Sequence, residues 1–167
     1  MSSEWIRTVS LVAATASTGL TAGVFGQYAH SIMPGLRATD DRTFVSAFQS
    51  IDRAVINPLF IGAMFLGAAG FGVVAAIANR HTPTFAWTLT AFGTYLVAVV
   101  ITLVVHVPLN DAIKAAGNVD RIADLALVRA SFHEARWAAW NVVRAVVATV
   151  AFVMLIWSLV VHGRATS

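Results

Sequence analysis

Residues 54–79 read AVINPLFIGAMFLGAAGFGVVAAIAN, twenty-six positions without one charged side chain. A buried strand seldom runs beyond about eight residues, so an apolar run of this length reads as a helix. At 1.5 Å per residue, about 20 residues cross the roughly 30 Å of a bilayer's hydrocarbon. The stretch is therefore a membrane span. Three more uncharged runs flank it, at residues 8–29, 82–105 and 145–161. The last is the shortest. Residues 137–141 extend its helix upstream, and Arg144 between them has a stem long enough to snorkel. Backbone amides in lipid must be satisfied within their own segment, which makes all four spans helical. The expected fold is an all-α, integral-membrane four-helix bundle, up-down-up-down. It forms a single membrane domain over residues 1–167, with helices at about 8–30, 54–79, 83–106 and 137–161.

Composition agrees with a chain that lives in lipid. Hydrophobic residues make up 58% of it and charged residues 11%, against about 25% charge in a soluble domain. Disorder is excluded, because it requires few apolar residues and much charge. The absence of cysteine excludes a disulfide framework and a zinc-thiolate site. The eleven basic residues are scattered and form no electrostatic footprint, so no nucleic-acid partner is expected. Ala14-Thr15-Ala16 resembles a signal-peptide cleavage site. However, Glu4 sits beside Arg7 and the apolar run continues past the triplet, so residues 8–30 are read as a retained helix.

Two connections are long, residues 31–53 and 107–136. In the first, Phe44, Ala47, Phe48 and Ile51 recur at helical spacing. In the second, Ile122, Leu125, Val128 and Phe132 do the same. Each is expected to hold a short interfacial helix, the second starting near Asn118 and able to run on into the fourth span. Pro83 suits the first turn of the third helix. Asp40-Asp41 reads as a solvated loop rather than an acid/base pair.

An up-down-up-down bundle puts both long connections on one membrane face, and the unusual polar residues collect there. Tyr28 and His30 end the first span and Asn57 starts the second. His106, Asn110 and Asp111 follow the third, while His133, Arg136, Asn141 and Arg144 lead into the fourth. Polar groups in a membrane bundle commonly face a cavity. Arg129, His133, Arg136, Trp137, Trp140 and Arg144 lie within about ±60° of one another on a helical wheel, with Asn141 beside them. That face reads either as an interfacial belt of Trp and Arg or as the wall of a binding site. His30, His106 and His133 come from three separate elements and offer a metal-site alternative. No H-x-x-x-H or H-E-x-x-H pair anchors one, and no metal or other cofactor is expected. Gly19, Gly23 and Gly26 share a face in a close-packing pattern, either inside the bundle or in a homo-oligomer through Gly19/Gly23. No P-loop, dinucleotide fingerprint or G-x-S-x-G is present.

Four segments taken in series resemble a known family. They are residues 23–36 ending in Met33-Pro34-Gly35-Leu36, AFQSIDRAVINPLF at 47–60, VPLND at 107–111 and RWAAWNVVR at 136–144. Their order and spacing are similar to those of the anthrone oxygenase-like family of small four-helix membrane proteins. The chain departs from the family pattern at Asp52, where Asn is usual, and near His106, where Asn is frequent. The resemblance implies a membrane oxidoreductase that oxidises a hydrophobic cyclic or aromatic substrate with molecular oxygen. An anthrone has an acidic carbon–hydrogen bond, and its delocalised enolate passes an electron to oxygen without a cofactor. The protein then has to supply a flat slot, a base and donors to the enolate oxygen. On this reading Trp137 and Trp140, with Tyr28 and Arg136, form the substrate site. Arg144, Asn141, Asn57 and Asn110 are the donors, and Asp111 or His106 is the base. The alternatives are a non-catalytic protein that binds a lipid or quinone, and a structural or partner-binding bundle.

Orientation follows from the basic residues. Arg37, Arg42, Arg53, Lys114, Arg121, Arg129, Arg136 and Arg144 belong to the polar face, and Arg7, Arg80 and Arg164 to the other. The positive-inside rule puts the polar face in the cytoplasm, and a bacterial inner membrane is the expected location.

Overall fold

The computed structural model describes residues 2–166. Those residues form six helices, α1 (Ser3–Arg37), α2 (Asp41–Val55), α3 (Pro58–Ala78), α4 (Phe85–Ala115), α5 (Leu125–Ser131) and α6 (Glu134–Thr166), plus a short turn of 3₁₀ helix at Val119–Arg121. No strand occurs among the described residues. α1, α3, α4 and the α5–α6 run are long and apolar enough to cross a membrane. They close a ring in which α1 and α4 each pack on both α3 and α6. The protein is an all-α multi-pass membrane bundle.

Small side chains let the helices approach closely, as membrane packing requires where no hydrophobic drive separates helix from lipid. Ala14, Ala68, Ala75, Ala91, Ala98, Ala148 and Ala151 are buried along the axis, while Leu20, Leu66, Leu103, Val146 and Val153 point outward. At Gly19 a Cβ atom would stand 2.6 Å from the ring of Phe152, and at Gly72 one would stand 2.9 Å from Phe92. Gly19 thus serves packing inside the bundle, whereas Gly23 faces open space. Several buried hydroxyls settle their own donors by bonding one turn back. Thr21 donates to the Ser17 carbonyl at 2.9 Å and Thr88 to that of Thr84 at 3.0 Å.

Three of the four spanning helices widen into π turns at the same end of the bundle, at Tyr28–Ile32, Pro58–Leu66 and Thr102–His106. In α1 and α4 the cause is local. Each wide turn ends two residues before a proline, Pro34 or Pro108. Proline has no N–H to donate, and its ring crowds the carbonyl four residues back, which belongs to His30 or Val104 within the wide turn.

A cap of short helices closes this end. α2 packs against α5 and against the last turns of α1 and α4. It starts where the Asp40 carboxylate accepts from the Thr43 amide at 2.9 Å and from the Thr43 hydroxyl at 2.8 Å. These bonds hold the Asp40 carboxyl below its ordinary pKa. Asp40 is therefore a helix cap. Its neighbour Asp41 pairs with Arg129 at 3.1 Å. Phe44 and Phe48 enter a buried aromatic cluster with Phe132, whose ring lies 5.8 Å from Phe44 and 4.5 Å from Phe48. Arg129 ties the cap together, reaching the Thr39 carbonyl at 2.9 Å, that of Arg37 at 3.1 Å and Glu134 at 3.1 Å.

Several boundaries differ from the sequence expectation. Residues 54 and 55 end α2 rather than opening the second span. Ile56 breaks the helix, the Asn57 side chain caps α3 by accepting from Phe60 N at 3.0 Å, and Pro58 takes its first turn. α4 runs on past residue 106 to Ala115. Pro83 precedes α4 rather than lying in its first turn. The helix expected from Asn118 starts only at Leu125, after Asp124 caps it, and it runs into the fourth span across a two-residue turn at 132–133. His133 adopts φ +53°, a left-handed backbone that breaks the chain between α5 and α6.

A cavity with an unspent base and an unspent cation

The three π turns and the cap enclose a cavity of about 360 Å³, within the range of about 300–1,000 Å³ typical of small-molecule sites. Its walls are mainly aromatic and aliphatic: Val24, Phe25 and Tyr28 from α1, Phe48 from α2, Phe60, Ile61 and Phe65 from α3, Leu103 from α4 and Trp137 from α6. Every spanning helix contributes, because the widened turns rotate side chains at this level toward a common centre.

Trp137 forms one wall. Its indole N–H donates to Asn110 Oδ1 at 2.7 Å. Its ring meets Tyr28 at 5.6 Å, Phe48 at 5.7 Å and His106 at 4.8 Å, the last two edge to face. Asn110 turns its amide the other way, donating from Nδ2 to Asp52 Oδ1 at 2.6 Å. Asp52 Oδ2 pairs with Lys114 at 2.9 Å, and Lys114 also reaches Asp111 at 3.1 Å. A polar chain thus leads from the indole through Asn110 and Asp52 to the outer rim.

Arg144 is buried, with 6% of its surface exposed. Its guanidinium carbon lies 4.1 Å from the Phe25 ring centre and 5.4 Å from that of Trp137, so two π faces offset the lost hydration. Nε donates to Asn141 Oδ1 at 2.9 Å and one terminal nitrogen donates to Thr102 Oγ1 at 3.2 Å. Asn141 is anchored in turn on the Phe25 carbonyl at 3.1 Å. A guanidinium has five N–H donors, and these two bonds use two of them. Among the described residues no carboxylate comes within ion-pair distance of Arg144. The cavity therefore contains a fixed cation with unused donors and no counter-charge in contact.

His106 lies against the same indole, 1% exposed. Its Nδ1 is 3.4 Å from the Ile101 carbonyl. A carbonyl only accepts, so this contact favours the tautomer with the proton on Nδ1 and the lone pair on Nε2. Nε2 is buried and has no hydrogen-bond partner. An unpaired polar atom in a buried site is costly unless something arrives to use it.

The residues singled out in the sequence divide. Tyr28, His106, Asn110, Trp137 and Arg144 line the cavity, and Asp111 stands at its exposed rim. Asn141 lies behind Arg144 and positions it. Asn57 is spent on its cap. Arg136 is exposed, and Trp140, 41% exposed, faces lipid. The ±60° window drawn on the helical wheel straddled the boundary of α6. Positions 137, 141 and 144 face inward while 136 and 140 face out. The three histidines do not converge, since His30 and His133 are exposed while His106 is buried. Among the described residues no group of three potential His, Cys, Asp or Glu ligands comes together. The sequence reading did not name Asp52, Phe25, Thr102 or Lys114 as site residues. Asp52 had a usable signal, since with Val45, Phe48 and Gln49 it completes the buried face of α2 at helical spacing.

A family model described as anthrone oxygenase matches residues 50–154, from Asp52's turn of α2 into the second half of α6. The match takes in His106, Asn110, Trp137, Asn141 and Arg144. No curated protein and no solved structure matches the chain.

Proposed function

The chain belongs to the anthrone oxygenase family, and from that premise we propose that it oxidises a flat, hydrophobic carbon acid of the anthrone type with molecular oxygen inside this cavity. One observation carries the reading. A buried imidazole nitrogen with no hydrogen-bond partner and a guanidinium with unused donors share a mainly aromatic and aliphatic chamber. That is the equipment for enolate formation, a base for the carbon-bound proton and a cation for the oxygen on which charge develops.

In this mechanism His106 Nε2 takes a proton from the ring methylene. The electron pair delocalises onto the carbonyl oxygen, which Arg144 holds, with Asn141 and Thr102 fixing the orientation of the guanidinium. The enolate passes one electron to oxygen, giving superoxide and a carbon radical. These combine to a peroxide anion, which takes back the proton held on His106 and becomes a hydroperoxide. His106 then removes the remaining ring C–H proton; that electron pair forms the C=O bond as the O–O bond breaks, and the departing hydroxide takes the proton as water, so that anthrone and one oxygen molecule become anthraquinone and one water. The electrons come from the substrate itself, and the route requires no cofactor. Tyr28, Phe25 and Trp137 are the walls of the slot. Asp111, exposed and paired with Lys114, is poorly placed to be the base.

The test is aerobic incubation of the purified protein with dithranol, following oxygen uptake and the quinone absorbance. His106→Gln keeps the size of the side chain but removes the basic nitrogen, and is expected to lower turnover by about 10²–10⁴-fold. Trp140→Phe, on the lipid face, leaves it unchanged. Dithranol binding without oxygen uptake above the detergent background would overturn the oxygenase reading in favour of a lipid or quinone binder.

A further inference from the structure

The way into the cavity can be read from where two helices part. α3 and α4 pack on each other along Gly67–Ala78 and Phe85–Ile101. Over their π turns they diverge. Pro58–Leu66 lies on α1, while Thr102–His106 lies on α6. The gap left between them is edged by Ile56, Leu66, Leu103 and Val107, all of which line the cavity and are well exposed on the outer surface of the bundle. None of the four bears a polar side chain. Leu66, Leu103 and Val107 belong to helices long and apolar enough to cross a membrane, and Ile56 lies two residues before one of them, so the edge of the gap is suited to contact with lipid. The charged residues Asp111 and Lys114 follow Val107 by one and two turns of α4, toward the cap. The buried groups, His106 and Arg144, lie deep behind the apolar edge.

We propose that the cavity is loaded sideways from the bilayer through a portal bounded by Ile56, Leu66, Leu103 and Val107, and that this apolar edge admits neutral molecules in preference to charged ones. A permanently charged molecule does not travel through hydrocarbon, because its charge stays hydrated. A phenolic polycycle does travel, and molecular oxygen also concentrates in lipid. The arrangement thus separates two jobs. The apolar portal selects neutral ligands, and the guanidinium stabilises the charge made inside. The ligand class rests on the oxygenase reading, and the portal does not.

The chain has no cysteine, so a single Val24→Cys, on the α1 wall of the cavity, can carry a nitroxide in phosphatidylcholine vesicles. Its collision rates with oxygen, which favours lipid, and with a water-soluble nickel chelate report what fills the cavity. The expected result is high oxygen and low nickel accessibility, with the oxygen rate falling several-fold when Leu103→Trp or Leu66→Trp plugs the gap. Leu96→Trp, exposed away from the cavity, has no effect. Nickel-dominated collisions, or oxygen collisions that neither plug alters, overturn the portal. For the ligand class, turnover of dithranol is compared with that of a carboxylated anthrone, which is expected to react at least tenfold more slowly. Equal turnover overturns the class. If neither compound is oxidised, the oxygenase reading fails and the ligand class with it, while the nitroxide result still decides the portal.

Discussion

At Arg144 the difference between arginine and lysine is a matter of geometry. Its planar fork gives Nε to Asn141 and one terminal nitrogen to Thr102 and keeps the rest of its donors for a ligand. Lysine presents a point charge that cannot bond Asn141 and Thr102 from one rigid plane and still meet an oxygen in the cavity. Arg144→Lys is therefore expected to insert and fold, with the same helical circular dichroism, and to lose about 10²–10³-fold in kcat with dithranol. An unchanged kcat would mean that Arg144 only anchors helices. The reach of sequence reasoning is visible at this scale. Arg144 was legible because a cation so far inside an apolar run requires a reason. Asn57 was misread because its residue type suits an active site and a helix cap equally well, and only the bond to Phe60 N decides between them.

At the scale of the element, the prolines set the register of the site. Pro108 enforces the wide turn that ends at His106. Pro108→Ala removes the cause of the bulge, and losing one residue from a turn rotates what lies beyond it by about 100°. His106 and Arg144 then no longer face the same point. Activity is expected to fall by about 10²-fold, while the detergent melting temperature does not fall, since alanine suits a helix interior better than proline. A drop in both would show that the bulge is structural only. Packing gives an independent check. Gly19→Leu drives a side chain into Phe152, which lies 2.6 Å from the position of its Cβ, and should cost about 1–3 kcal/mol, read as a lower melting temperature. Gly23→Leu meets no neighbour within 4 Å and should be tolerated. The reverse ranking would move the glycine stripe from the bundle interior to a contact between copies.

For the whole molecule, the cap end carries eight of the eleven basic residues. Arg144 is buried there, and an inward-facing charge is a weak topological signal. The remaining seven still outnumber Arg7, Arg80 and Arg164 at the other end. The positive-inside rule then puts the cap in the cytoplasm. Single cysteines at His81 and Ala123, both exposed and at opposite ends, test this in intact cells with a membrane-impermeant maleimide. His81→Cys should label and Ala123→Cys should not. The opposite pattern inverts the topology without touching the site.

The number and place of the spans, the all-α class and the gathering of polar residues at one end were determined by sequence alone. Hydrocarbon imposes a one-dimensional condition, an uncharged run of sufficient length, and a chain either meets it or does not. Which polar residues converge was decided only by the tertiary structure. Asp52 reaches the cavity because α2 folds back over the bundle. Phe25 and Thr102 reach Arg144 because α1 and α4 flank α6 at the level of their π turns. The left-handed residue His133 ends one helical register before α6 begins another. These are consequences of contacts between segments distant in the chain, and a helical wheel drawn for one segment has no means of registering them.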